Sequence, residues 1–156
     1  MDAARVLAVL HALSSHGVHY KVVGGVALNL HGIARATEDL DIFVDPTSDN
    51  VERLKTALKS VYADAHIDEI TVADLAGEYP TIQYVPPEGT FSIDILARLG
   101  TAFDYAGIEA TSRTVEGVAV AVATPRMLYR MKHDTVRPQD HADAARLQQV
   151  FGPLDD

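Results

Sequence analysis

The sequence predicts a mixed α/β (α+β) domain, with a mixed β-sheet, helices packed mainly on one of its faces and a short helical segment at the C-terminal end. Three observations predict it. Val6, Leu7, Leu10 and Leu13 recur at helical spacing, the mark of an amphipathic helix. Leu40, Ile42 and Val44 alternate with Asp39, Asp41, Phe43 and Asp45, the period of a strand with two unlike faces. The order of elements is helix, strand, helix, strand, helix, several strands and then helices, which suits helices laid against one sheet.

The first helix is expected over about residues 2–15, ended by His16-Gly17. Tyr20-Lys21-Val22-Val23 is a short β-prone run that stops at Gly24-Gly25, and Val26 to Leu30 form a short helix closed by His31-Gly32. The strand of alternating aspartates ends at Pro46. Thr47 or Ser48 then caps a helix over about 49–62, whose Val51, Leu54, Leu58 and Val61 make one stripe. Thr71 to Ala76 fit one further helical turn. Thr81–Val85 and Phe91–Leu96 are strands joined by Pro86-Pro87-Glu88-Gly89, and Arg98 to Gly107 read as a loop. Arg113–Val115 and Val118–Val122 flank the turn Glu116-Gly117. Thr124-Pro125 starts a helix over about 125–133, and a last helix runs from the break at Arg137-Pro138 to about Val150.

The 156 residues amount to a single domain, residues 1–156, with its C-terminal helices over about 124–151. No apolar run approaches the ~20 residues that span a bilayer. The acid-bearing start Met1-Asp2-Ala3-Ala4-Arg5 does not read as a signal peptide. The chain has no cysteine, which excludes disulfides and thiolate metal sites and makes the cytoplasm the expected location. Its net charge of -9 argues against extensive binding of duplex nucleic acid, since phosphate neutralisation by basic residues supplies much of that affinity. Carboxylates gathered for a metal ion would account for part of the acid excess.

The chemistry is concentrated in Val22-Val23-Gly24-Gly25-Val26-Ala27-Leu28 and Arg35-Ala36-Thr37-Glu38-Asp39-Leu40-Asp41. A strand ending in two glycines lets the backbone approach an anion closely, so Gly24 and Gly25 are candidates to hold phosphate. Asp39 and Asp41 are two apart on a strand and project from one face. Two such carboxylates repel unless a cation or proton lies between them, and hard oxygen donors suit Mg²⁺ or Mn²⁺. Asp94, between Ile93 and Ile95, sits in a third strand. If that strand neighbours the first, Asp39, Asp41 and Asp94 converge as metal ligands and catalytic acids, Asp94 also serving as general base.

The stretch from Val22 to Val44 resembles the signature of the DNA polymerase β-type nucleotidyltransferase superfamily. Gly24-Gly25 stand for its glycine turn, Asp39-Leu40-Asp41 for its Asp-x-Asp strand and Asp94 for the third acid. More narrowly, Gly-Gly-x-Ala-Leu, His31-Gly32, Arg35-x-Thr37 and Asp-Leu-Asp are similar to the small bacterial AbiEii-type, toxin-like nucleotidyltransferases. Lys132 followed by Arg137-Pro138-Gln139-Asp140-His141-Ala142-Asp143 resembles that family's helical segment of Lys, Arg, Asp and Asp.

The resemblance implies the nucleotidyltransferase fold. It also implies an enzyme that moves a nucleoside monophosphate from an NTP such as ATP to an acceptor hydroxyl or phosphate, releasing pyrophosphate. The acceptor it implies is a tRNA end, a protein or a small molecule, and a toxin-like member would have a cognate antitoxin. A second chain in a homodimer could complete so short a site. The alternative reading is a catalytically silent module that binds a nucleotide or a protein.

Around this centre, Arg35 either meets a phosphate or pairs with a local acid such as Glu38, and Thr37 steadies the loop before the aspartates. Lys132 is either solvated or a phosphate or acceptor contact. Asp140 and Asp143, three apart on one helix face, are expected to pair with Arg137 or Arg146. His31 is expected to pack at a helix end.

Overall fold

The computed structural model describes residues 2–77, 80–87, 89 and 91–154. Helix α1 (Ala3–Ser15) is capped by Asp2, whose carboxylate accepts from the Ala4 and Arg5 amides, satisfying donors that a helix start leaves free. Strand β1 (Tyr20–Val23) leads directly into helix α2 (Gly24–Leu30), strand β2 is Asp39–Val44, and helix α3 (Ser48–Val61) starts at a Thr47 cap. Two 3₁₀ turns follow, Ala65–Glu69 and Val72–Leu75. Strands β3 (Thr81–Tyr84) and β4 (Ser92–Leu96) form a hairpin whose Gly89 amide donates to the Pro86 carbonyl. Glu88 of that connection lies outside the described residues.

Arg98 to Gly107, expected as a loop, contains a small ribbon of β5 (Arg98–Leu99) and β6 (Phe103–Asp104). Such two-residue strands carry too little periodicity to show in a sequence. Strands β7 (Ala110–Val115) and β8 (Val118–Ala123) turn at Glu116-Gly117, and β7 starts three residues earlier than the Arg113 start expected. Helices α4 (Pro125–Lys132) and α5 (Pro138–Phe151) both begin with proline at the first helical position, where its missing N–H costs nothing.

The main sheet has the order β3-β4-β2-β1-β8-β7. It is mixed: β2 runs parallel to β4 and β1 to β8, while β1–β2, β3–β4 and β7–β8 are antiparallel. One sheet face carries Val22, Leu40, Ile42, Val44, Ile93, Ile95, Val120 and Val122, all buried. Leu10 and Leu13 of α1 and Leu54 and Leu58 of α3 join that core. Burying an aliphatic side chain of this size is worth about 1.5–3 kcal/mol, so this layer fixes the strand register and with it the side chains of the other face.

Candidate active site

The register across four strands builds the site. Val23 at the end of β1 lies opposite Asp41, Asp41 opposite Asp94, and Asp94 opposite Gln83 of β3. Paired residues on neighbouring strands point to the same side. The alternation that buries Leu40, Ile42, Ile93 and Ile95 therefore turns Asp39, Asp41, Asp94 and Gln83 to the opposite face. A one-residue slip would reverse both sets. Past Val23 the chain turns sharply at Gly24, whose φ of +70° is left-handed, a conformation open to glycine at no steric cost. A β-carbon there would lie 2.2 Å from Asp41 Oδ2, and one on Gly25 would lie 2.8 Å from the Thr37 β-carbon. The glycine turn is thus packed directly against the carboxylates and the strand that carries them.

Asp41 is held well above the usual carboxylate range, at about 7. Burial is the main cause, followed by the hydrogen bond and charge of Asp94 and the charge of Asp39, with Lys132 pulling the other way. Asp94 is also raised, chiefly by burial and by the charge of Asp39, while hydrogen bonds with Asp41 and Gln83 oppose the rise. The two carboxyls repel one another unless a proton or a cation lies between them. Asp39 stands slightly apart: its Oδ1 accepts from Ser92 Oγ at 2.5 Å. Thr37 Oγ1 donates to the Asp39 carbonyl at 3.1 Å and so steadies the strand start, as expected from the sequence.

The C-terminal helices supply a buried ion cluster. Lys132 is not solvated; it is buried, with Nζ 3.0 Å from Asp143 Oδ2 and 3.4 Å from Asp140 Oδ1. Its charge is felt at Asp41. Arg35 pairs with Asp143 (Nε to Oδ1, 3.0 Å) across more than a hundred residues rather than with the adjacent Glu38. Asp143 also accepts from Gln139 Nε2 at 3.0 Å. Burial pushes Asp143 up, but hydrogen bonds from Lys132 and Arg35 outweigh it and leave its carboxyl below the ordinary value. Asp140 meets Arg137 at 3.8 Å as expected, whereas Asp143 takes Lys132 and Arg35 in place of Arg146. His31 packs as foreseen, with Nε2 2.7 Å from the Ala123 carbonyl and its ring edge-on to Phe151.

Gly24, Gly25, Asp39, Asp41 and Asp94 are therefore brought together, with Thr37 beneath them and Lys132 beside them, while Arg35 is committed to Asp143. Three participants escaped the sequence reading: Ser92, Gln83 and the buried partner role of Asp143. Ser92 and Gln83 were legible only through register, since each stands opposite an aspartate. Among the described residues, no three carboxylate or imidazole groups form a ready-made metal cage. The donor set still fits a hard divalent cation. Asp94 Oδ1 is buried with no hydrogen-bond partner, and the Asp41–Asp94 pair carries charge that only a proton or cation relieves.

Comparison with known proteins turns this geometry into an assignment. The sequence profile of the nucleotidyl transferase AbiEii toxin family, of type IV toxin–antitoxin systems, matches residues 5–146. The chain belongs to that family. It is a nucleotidyltransferase, and the matched span takes in the glycine turn, all three acids, Lys132 and Asp143. Among curated proteins none matches this chain in sequence. Solved structures share the fold at low identity. The lincosamide antibiotic adenylyltransferase LnuA, solved with lincomycin, superposes with a TM-score of 0.63 at 13% identity, over 97% of this chain and 99% of that one. The antibiotic-resistance factor ANT(2'')-Ia gives 0.58 at 12% identity, over 96% and 83%. An antigenic nucleotidyltransferase-like protein from Paracoccidioides brasiliensis gives 0.54 at 19%, over 94% and 75%. Among the described residues no helix is long and apolar enough to cross a membrane.

Proposed function

We propose that this chain catalyses Mg²⁺- or Mn²⁺-dependent transfer of a nucleoside monophosphate from an NTP to an acceptor hydroxyl or phosphate. The observation that carries the reading is the placement of Asp41 directly opposite Asp94, with Gly24 packed against the Asp41 carboxylate. Asp41 and Asp94, with Asp39 at their side, would hold the metal. Bound there, it would neutralise the triphosphate and the charge that develops at phosphorus.

The chain's own residues do the rest. Gly24 and Gly25 leave the turn free of side chains where the triphosphate lies against the acids. Asp94, its carboxyl raised by burial and by the charge of Asp39, is placed to accept the proton of an acceptor hydroxyl. The acceptor oxygen forms its bond to the α-phosphorus as the bond to the β-phosphate oxygen breaks, and pyrophosphate leaves. Lys132 offsets part of the negative charge at Asp41, and Asp143 holds both Lys132 and Arg35 in place. The same reading takes a tRNA end, a protein or a small molecule as acceptor, and membership of the family supports a toxin role with a cognate antitoxin.

The test is a transfer assay with α-phosphate-radiolabelled NTPs, Mg²⁺ or Mn²⁺ and fractionated bacterial extract, run beside the Asp39→Asn/Asp41→Asn double variant. Label entering the RNA, protein or small-molecule fraction with wild type alone supports the reading and identifies the acceptor class. A folded wild type that transfers no nucleotide overturns it and leaves a nucleotide- or protein-binding module.

A further inference from the structure

Beyond the three acids, the catalytic face has a fourth member whose side chain neither binds phosphate nor carries charge. Gln83 is exposed on β3, the outermost strand at one end of the sheet, and stands in register with Asp94. Its side chain lies on the same side of the sheet as that of Asp94, and a hydrogen bond between them partly opposes the rise of that carboxyl. The order along the face is Gly24, Asp41, Asp94, Gln83, so the phosphate-holding turn and Gln83 lie on opposite flanks of the acid pair. In-line displacement brings the nucleophile from the side opposite the departing pyrophosphate. With the triphosphate on the glycine flank, the acceptor hydroxyl enters over the β3 flank, past Asp94.

We infer that Gln83 is a positioning residue for the transfer reaction, orienting the Asp94 carboxylate toward the acceptor on the β3 side of the site. This rests on the proposed transferase reading. An amide N–H₂ donating to the Asp94 carboxylate would hold it in one rotamer, with Oδ1 buried and without a hydrogen-bond partner. Only a neutral donor serves. A carboxylate of the same size at position 83 would face Asp94 with like charge, and alanine would leave Asp94 free to rotate.

The variants Gln83→Ala, Gln83→Glu and, as a control two residues along the same exposed face, Thr81→Ala decide it. For Gln83→Ala we expect kcat to fall roughly 10-fold with KM for the NTP unchanged within about 2-fold. Gln83→Glu should fall further, and Thr81→Ala should match wild type. A merely structural Gln83 would show the reverse order, because glutamate preserves its shape on an exposed strand. A Glu variant as active as wild type therefore overturns the inference.

A second readout needs no turnover. In chelator at pH 8, Gln83→Glu should melt below Gln83→Ala, because a third carboxylate joins the Asp41–Asp94 pair. Equal melting temperatures overturn the inference as well. Absence of transfer by wild type would count against the proposed function, while the melting comparison would still show whether the side chain at position 83 acts on the carboxylate pair.

Discussion

A side chain at position 24 and the carboxylate of Asp41 compete for one space: a β-carbon there would stand 2.2 Å from Oδ2. The left-handed φ of +70° adds a second reason for glycine, since that region costs an L-residue roughly 1–2 kcal/mol. Gly24→Ala is therefore expected to destabilise the fold by about 2–4 kcal/mol, strain and overpacking together. It should also reduce transfer by at least about 100-fold through displacement of Asp41. Urea denaturation and the transfer assay check the two parts separately.

Gly25 is constrained by a different neighbour. Its β-carbon would meet the Thr37 β-carbon at 2.8 Å, an atom too close to the backbone to swing aside. Thr37 takes up the room that a larger residue would need. Gly25→Ser should cost about 1–3 kcal/mol, and adding Thr37→Ala should restore part of it. A double-mutant cycle by chemical denaturation measures the coupling; strict additivity would show that the two positions do not compete.

Most of this site was readable because it depends on alternation. Asp39 and Asp41 share a face whatever the rest of the fold does, and burial of Leu40 and Ile42 decides which face. Asp94 was legible as an acid flanked by isoleucines. What the sequence could not reveal is which strand lies beside which: the parallel pairing of β2 with β4 creates the Asp41–Asp94 contact, and Gln83 enters only by pairing with β4. The Arg35–Asp143–Lys132 network joins residues 108 and 11 positions apart, and local pattern favours nearer partners such as Glu38 and Arg146. The β5–β6 ribbon failed for want of length.

The raised value of Asp41 makes stability depend on pH in a defined direction. Its folded value is about 7 against 3.8 for the free group, so the folded state binds the proton more tightly than the unfolded state. This contribution is fully present below pH 3.8 and is lost as pH rises through about 7. Without metal, wild type should therefore lose stability between pH 6 and pH 8, by on the order of 1–3 kcal/mol from this pair. Asp41→Asn should flatten that decline and be the more stable protein at pH 8, though inactive. Mg²⁺ at pH 8 should raise the melting temperature of wild type and do little for the variant. Thermal melts at both pH values, with chelator and with Mg²⁺, test all three statements; a wild-type curve flat across this range would remove the carboxylate pair as its cause.

Lys132 ties helix α4 to helix α5 and its charge reaches Asp41, so its removal should act on both packing and the candidate site. Its ammonium lies between Asp140 and Asp143, both buried, and its charge also reaches Asp41. Taking one member out of a buried ion cluster costs more than the cluster contributes, because the remaining charge is left without compensation; about 3–5 kcal/mol is typical. Lys132→Met should lose that much, whereas Lys132→Met/Asp143→Leu should lose less, since it removes one of the two stranded carboxylates together with their shared partner. Arg35, left without Asp143 in the double variant, limits the recovery. Lys132 also opposes the rise of Asp41, so Lys132→Met should carry the pH-dependent loss of stability to higher pH. Denaturation of both variants across pH 5–9 reads the two effects at once, and a Lys132→Met protein as stable as wild type would show that the cluster does not hold α4 and α5 together.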